Sequence, residues 1–420
     1  MRRFFCIAAG VLALVLCLTA FPVNAPNRPR DAVPPPVPNP PAVLPAPPPP
    51  PPPPPEPEKL TLVVTGDLMA HIDQVEDSQT QDGGYDFNHV FEQVKDDLSE
   101  GYAIGNLETV FGGPQIGPRN YPQFSTPDEY GYALKENGFD FVSTCNNHSL
   151  DWYEDGALRT IEILDEIGLA HTGTYRSEEE RSKITVVDAG GFKLAILAFT
   201  FSTNGIPMPQ GKDYLVNMLT EERLITDLQK ARALEPDLIA VMPHMGNEYE
   251  EYTREAFLYW MDLALYHGAD FVFASHPHVL QPMMTRELTD AYGVLRTGFI
   301  IASLGNFVSG QRDEPRDIGV ILKVDVSKNW GERPAIERVR FVPTWVQYRE
   351  ATGQTNIRVL PVGDALKTEG DTLNPLGLTA DNYNRLRRAN DYITAMFLGE
   401  AVPVTEEPAR EYVFYERDDN

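Results

Sequence analysis

Cysteine is nearly absent from this 420-residue chain: there are three, and two of them, Cys6 and Cys17, lie in an apolar N-terminal run. Cys145 is therefore alone in the remainder, which excludes an intrachain disulfide there and leaves stability to a hydrophobic core. Positive charge is also short. Against 61 Asp+Glu stand 35 Lys+Arg, a formal net charge of −26, which argues against nucleic acid and against peripheral binding to anionic lipid. The same balance repels an anionic polymer everywhere except at a local cationic site. The sequence carries no Gly-rich Walker loop, kinase signature or Rossmann fingerprint, so the chain is not expected to activate a carboxylate with ATP by itself. No internal repeat is visible.

What is present begins with Arg2 and Arg3, followed by an almost unbroken apolar run from Phe4 to Val23 that reads as an export signal. About 20 apolar residues also suffice to span a bilayer. Residues 1–25 are therefore expected to be a signal peptide or an uncleaved membrane anchor. Residues 26–58 form a linker with 17 prolines between positions 34 and 57, including the block Pro47–Pro55. Proline fixes φ and removes the N–H, so this stretch should be a stiff polyproline II rod, reaching roughly 70 Å at ~3.1 Å per residue. Such a spacer makes most sense if the anchor is retained. The expected location is the outer face of the cytoplasmic membrane, or outside the cell if the signal is cleaved.

From Lys59 onward, short apolar runs alternate with helical stretches. Strands are expected at Leu60–Thr65, Tyr102–Gly105, Phe139–Thr144, Leu238–Met242, Asp270–Ala274 and Phe299–Ala302, and helices at Pro127–Asn137, Tyr153–Ile167, Thr220–Leu234 and Thr253–His267. This alternation implies an α/β domain with a largely parallel sheet covered by helices. Ile184–Asp188 and Phe192–Phe199 flank Ala189-Gly190-Gly191 as a hairpin, and Ile318–Val326 with Ile336–Trp345 form a second antiparallel pair. One main domain is expected over 59–347. Residues 348–420, with one helix at Asp381–Phe397, read as an appendage packed on it.

The polar residues fall at strand ends. Asp67 follows Leu62–Gly66, Asn106-Leu107-Glu108 follows Tyr102–Gly105, and Asn146-Asn147-His148 follows Phe139–Cys145. His244 follows the strand through Met242, His276-Pro277-His278 follows Phe271–Ser275, and Gly305-Asn306 follows Ile300–Leu304. Ligands of α/β sheets bind at the carboxyl ends of strands, so these groups should converge on one rim. Imidazole and carboxylate together suit a borderline divalent cation, and a carboxylate can bridge two ions for ester hydrolysis. The His-x-His pair is expected on extended backbone. Each residue also has a plain reading: His148 can cap Asp151, His244 can be a turn residue, and Asp67 can be a strand-to-loop aspartate. Four of eight histidines at three successive strand ends carry the metal reading together, not singly. His267 reads as a helix C-terminal residue, His89 and His171 show no partner pattern, and Cys145 reads as a small buried side chain.

Six blocks in order resemble the CapA-type poly-γ-glutamate capsule synthesis family: Gly66-Asp67-Leu68-Met69, Asn106-Leu107-Glu108, Asn146-Asn147-His148 with Asp151, His244-x-Gly246-x-Glu248-Tyr249, His276–Gln281 and Ser303–Phe307. The resemblance implies a calcineurin-like metallophosphatase fold, two stacked mixed β-sheets flanked by helices. It implies that Asp67 and His278 bind one divalent metal ion (Mn, Zn, Fe or Mg), that Asn147, His244 and His276 bind a second, and that Glu108 bridges them. His148 would be the acid at the leaving group, with Asp151 and Glu248 supporting the histidines and Asn306 beside the site. Met69 stands where the phosphatases carry a histidine, and Glu108 where they carry aspartate. His71, two residues on, is a candidate replacement for the missing imidazole.

Three functions follow from these residues. The first is a component of an envelope apparatus that makes or exports an anionic polymer such as poly-γ-glutamate, beside membrane-bound synthase or ligase subunits. The second is an independent exported hydrolase of phosphoesters or polymer amides, and the third a metal-dependent module that binds carboxylate polymers without turnover.

Overall fold

The computed structural model of the chain describes residues 56–417. The expected export segment, 1–25, and all but the last three residues of the proline-rich linker lie outside the described residues. No helix among the described residues is long and apolar enough to cross a membrane.

Fifteen strands form among these residues. They are β1 (Glu58–Leu68), β2 (Tyr102–Leu107), β3 (Phe139–Ser143), β4 (Ala170–Thr172), β5 (Thr185–Ala189), β6 (Phe192–Thr200), β7 (Leu238–His244) and β8 (Phe271–Phe273), then β9 (Leu280–Thr289), β10 (Leu295–Leu304), β11 (Asn306–Val308), β12 (Ile318–Lys328), β13 (Ala335–Arg349), β14 (Thr355–Pro361) and β15 (Tyr412–Glu416). One sheet runs β14-β13-β12-β1-β2-β3-β4, with β11 also on β1 and β15 on β13; the other runs β5-β6-β7-β8-β10-β9. In the first, β1 to β4 are parallel and β12 to β15 antiparallel additions. In the second, β6, β7, β8 and β10 are parallel, with β5 and β9 antiparallel at the edges. Two stacked mixed sheets are the architecture the resemblance implied.

Side-chain alternation explains the stacking. Leu62, Val64, Ile104 and Phe141 share one apolar cluster with Leu194, Ile196, Ala240, Phe271 and Ile301, which fills the space between the sheets. The intervening residues face outward onto helices. Val63, Ala103 and Val142 pack with Phe91, Tyr130 and Leu164, while Ala195, Leu197, Val241 and Ile300 pack with Leu224, Leu228 and Leu265. Strands buried on both faces need apolar residues at every position, so these read as continuous runs in the sequence. The helices Glu129–Glu136, Tyr153–Ile167, Glu221–Ala233 and Glu255–Tyr266 match their expected positions within a residue or two, the usual uncertainty of a helix end.

The C-terminal region is more integral than an appendage. β13 runs through residue 347 to Arg349, β14 and β15 extend the first sheet, and the helix Ala380–Leu398 buries Leu386, Ala389, Ile393 and Phe397 in the inter-sheet cluster. Arg385 on that helix pairs with buried Asp317, which also accepts from Trp345 Nε1 at 2.9 Å. The sequence of this region is too polar and proline-interrupted to announce a sheet contribution, because β14 and β15 are completed by β13.

Candidate metal centre

The two sheets meet where β10 leaves one and continues, after Gly305, as β11 in the other. β11 lies parallel to the end of β1, opposing Asn306 to Asp67, and Asp67 N–H donates to Gly305 O at 2.9 Å. A Cβ at Gly66 would fall 1.9 Å from that same oxygen, so only glycine lets the strands come this close. The crossing brings the carboxyl ends of β1, β2, β3, β7 and β8 to one rim, and the residues that follow them converge there.

Glu108 lies at the centre. It is fully buried, and among the described residues neither carboxylate oxygen has a hydrogen-bond donor. His244 Nε2 stands 3.5 Å and His278 Nε2 3.7 Å from Glu108 Oε1. Ligand atoms of Glu108, His244 and His276 lie within 4.8 Å of one another, as do those of Asp67, Glu108 and His278, so Glu108 is common to both groups. His244 Nε2 is also 2.7 Å from Asn147 Oδ1 and 3.2 Å from His276 Nδ1. His278 Nδ1 is 3.1 Å from both Asp67 Oδ2 and Asn306 Oδ1. The six expected metal residues therefore lie together in two triads plus Asn147.

The expectation of extended backbone at the His-x-His pair is corrected. His276 has φ 105° and His278 φ 58°, both in the region that L-residues avoid at a cost of about 1–3 kcal/mol each. The kinked backbone carries each ring to its own triad instead of aligning the two; their centroids are 6.1 Å apart. Strain at two histidines one residue apart is typical of a binding site held in place by its surroundings.

Supporting contacts set the ring orientations. Asn106 Nδ2 donates to Asp67 Oδ1 at 2.8 Å and lies 3.2 Å from His244 Nδ1, which is also 2.9 Å from Ser275 Oγ. His148 Nδ1 is 2.7 Å from buried Asp151 Oδ2, which also accepts the Phe124 N–H at 2.6 Å. Asn204 joins the two loops, donating to His148 Nε2 at 3.4 Å and accepting from Asn147 Nδ2 at 3.1 Å. Glu248 is placed differently from its expected support of the histidines: it is exposed, lines the pocket above the triads, and makes no hydrogen bond to them. Its loop follows β7 into solvent, where water competes for the carboxylate. Sequence reasoning missed Ser275, Asn204 and Phe124; Ser275 and Asn204, a few residues past the ends of β8 and β6, carried a signal, and Phe124 carried none.

Electrostatics distinguish the two triads: His244 and His276 are neutral, whereas His278 holds its proton and must lose it to ligate a cation. Burial, reinforced by the Asp67 charge, raises the Glu108 pKa well above the carboxylate range. Burial lowers His244 and His276 to about 3, keeping both neutral and able to offer a lone pair. Burial also opposes charge on His278, but the Glu108 and Asp67 carboxylates outweigh it and lift that ring to about 9. Asp67 is held low because the hydrogen bond and charge of His278 outweigh its burial. A buried carboxylate without any donor, ringed by imidazoles, is costly on its own and fits a divalent cation. Cys145 bears out its plain reading: it is buried, its thiol is pushed up to about 12 by that burial, and its Sγ donates to Asn217 O.

A pocket of about 220 Å³ opens over the triads, lined by Met69, His71, Tyr121, Phe124, His148, Glu248, Tyr249, His278 and Gln311.

All six sequence blocks lie within a stretch that matches known proteins. The capsule biosynthesis protein CapA of Bacillus anthracis is 29% identical over 275 residues, covering 60% of each chain, so this chain spans 60% of the length of that relative. The PGA biosynthesis protein CapA of Bacillus subtilis is 24% identical over 312 residues, 70% of this chain and 73% of that one. Solved structures of similar outline include a 5'-nucleotidase precursor from Thermus thermophilus (15% identity, TM-score 0.42, 68% of this chain and 54% of that one) and the NAD nucleotidase of Haemophilus influenzae (13%, 0.44, 84% and 58%). The family profile described as bacterial capsule synthesis protein PGA_cap matches residues 61–311. The chain belongs to this family of bacterial capsule synthesis proteins.

Proposed function

We propose that this chain serves capsule synthesis as an exported, membrane-tethered domain that hydrolyses a bond in an anionic polymer or its phosphoester precursor, next to membrane-bound synthase subunits. The observation that carries the reading is Glu108, a fully buried carboxylate with no donor, shared by two triads of ligand atoms. Glu108, His244 and His276 with Asn147 would hold one divalent ion, and Asp67, Glu108 and His278 the other. This imidazole–carboxylate–amide donor set suits Mn, Zn or Fe, and suits Mg, which prefers oxygen ligands, least. When bound, such ions supply a water of lowered pKa and neutralise charge on the scissile group.

The chain's own residues do the rest. Hydrolysis adds one water across the scissile bond, so the leaving oxygen or nitrogen needs a proton. His148 supplies it: Asp151 Oδ2 accepts the Nδ1 proton and turns Nε2 toward Asn204, and the imidazolium form gives up its Nε2 proton. Asp151 stabilises that positive charge and holds the ring orientation, while Asn204 Nδ2, which donates to Nε2 of the neutral ring, has to give way when Nε2 carries the proton.

The test is elemental analysis of the purified full-length chain together with turnover of a simple phosphodiester and of a short γ-linked glutamate oligomer in Mn²⁺. One or two ions per chain and metal-dependent cleavage of either compound are expected, with His276→Ala losing both. A chain that retains no ion sinks the reading; tight, EDTA-sensitive binding without product converts it into a binding module. In cells, deletion should abolish surface polymer, and a chain lacking residues 1–58 should not restore it.

A further inference from the structure

His71 lines the pocket above the triads but belongs to neither. Its place two residues after Met69 made it a candidate for the imidazole that Met69 does not supply. The hydrogen bonding points elsewhere. The backbone N–H of Gly310 donates to His71 Nδ1 at 2.8 Å. An amide N–H can only donate, so Nδ1 carries the lone pair and the proton of the neutral ring sits on Nε2. Burial, helped by the nearby His278 and His148, holds the His71 pKa down to about 4, so the ring is neutral near pH 7. Nε2 then has an N–H to give and no lone pair for a cation, on a ring that lines the pocket.

The ring is also held tightly. Phe124 stands edge-on between the two pocket histidines, 4.9 Å from His71 and 4.7 Å from His148. Gly310 closes the other flank, where a Cβ would fall 2.5 Å from His71 Cβ and Cγ. Only glycine lets the backbone amide approach Nδ1 this closely. Phe124 also donates its N–H to Asp151, so one residue braces both imidazoles.

We propose that His71 is not a metal ligand but the donor that binds an oxyanion oxygen of the substrate, phosphoryl or carboxyl, through Nε2–H, in a tautomer set by Gly310. The substrate half of this assignment rests on the hydrolytic reading above; the tautomer half does not. A neutral donor suits a strongly acidic protein that must admit an anion, because it attracts the oxygen without a counter-charge that the neighbouring carboxylates would neutralise.

The experiment uses the full-length chain labelled with ¹⁵N-histidine, with His71→Ala to assign the resonance. Long-range proton–nitrogen correlation should show His71 as the Nε2–H tautomer at pH 7. Elemental analysis should find the same ion content in His71→Ala, His71→Asn and wild type. Affinity for inorganic phosphate or for a short glutamate oligomer should fall about tenfold in His71→Ala, the usual worth of a hydrogen bond to a charged group. It should recover partly in His71→Asn, whose amide also donates. Loss on phosphate alone or on the oligomer alone supports the assignment and identifies the oxyanion. An Nδ1–H tautomer, a lost ion in either variant, or unchanged affinity for both probes overturns it. A wild-type chain without ions, but with the Nε2–H tautomer and His71-dependent anion binding, would sink the metal reading and leave this one standing.

Discussion

Glu108 shows how one side chain can be unstable in isolation and useful in context. A carboxylate fully removed from water without a donor costs several kcal/mol, and its pKa rises accordingly. Glu108→Gln removes the charge while keeping the shape. In EDTA the variant is expected to melt at or above the wild-type temperature. In Mn²⁺ only the wild type should gain: about 2.7 kcal/mol at a hundredfold excess over Kd, several degrees by differential scanning calorimetry. An equal metal-induced shift in both proteins would show that Glu108 does not bridge. Asp151 is a different case because it accepts both His148 Nδ1–H and the Phe124 N–H. Asp151→Asn should leave ion content unchanged and lower kcat by about a hundredfold or more through the wrong His148 tautomer. The stability cost should be about 1–3 kcal/mol, separable by comparing turnover with denaturant melts.

At the scale of elements, the site depends on the crossing of β10 into β11 beside β1. Gly66→Ala places a methyl group 1.9 Å from Gly305 O, and backbone cannot move aside as a flexible side chain can. The variant should lose about 3 kcal/mol or more, visible as a shifted urea midpoint, and should lose bound ion together with stability. Retention of full ion content would mean that the Asp67–Asn306 register tolerates displacement. Many elements were legible in advance: the helix Tyr153–Ile167, the hairpin β5–β6 and the antiparallel pair β12–β13 each carry their own period and turn residues. β4, β9, β11, β14 and β15 were not. β4 and β11 are three residues long and lack the continuous apolar run that marked the equally short β8, and the others are recruited by a neighbour already in place.

The whole molecule is held by contacts distant in sequence. Arg385 pairs with Asp317, and Phe397 packs edge-on against Phe341 at 5.1 Å. Lys323, almost fully buried on β12, is paired by Asp97, Glu100 and Glu411. Removing residues 348–420 would uncover Val339, Phe341 and Trp345, take Arg385 away from Asp317 and take Glu411 away from Lys323. Truncation is therefore expected to abolish cooperative unfolding, as measured by circular dichroism and calorimetry. A truncated chain with a sharp thermal transition would restore the idea of a separable appendage.

The sequence by itself determined the acidic balance, the strand–helix alternation and the order of the six blocks. These are local: each is written in consecutive residues and their period. It also placed Asp67, Glu108, Asn147, His244, His276 and His278 at strand ends, because polar groups that interrupt apolar runs mark where strands leave the core. Only the tertiary structure decided what those groups do to one another. The kinked His276–His278 backbone, the orphaned Glu108 carboxylate, the exposed Glu248 and the Gly310 amide on His71 all depend on which loop meets which. That choice is made when two sheets stack and a strand crosses between them, and no short window of sequence contains it.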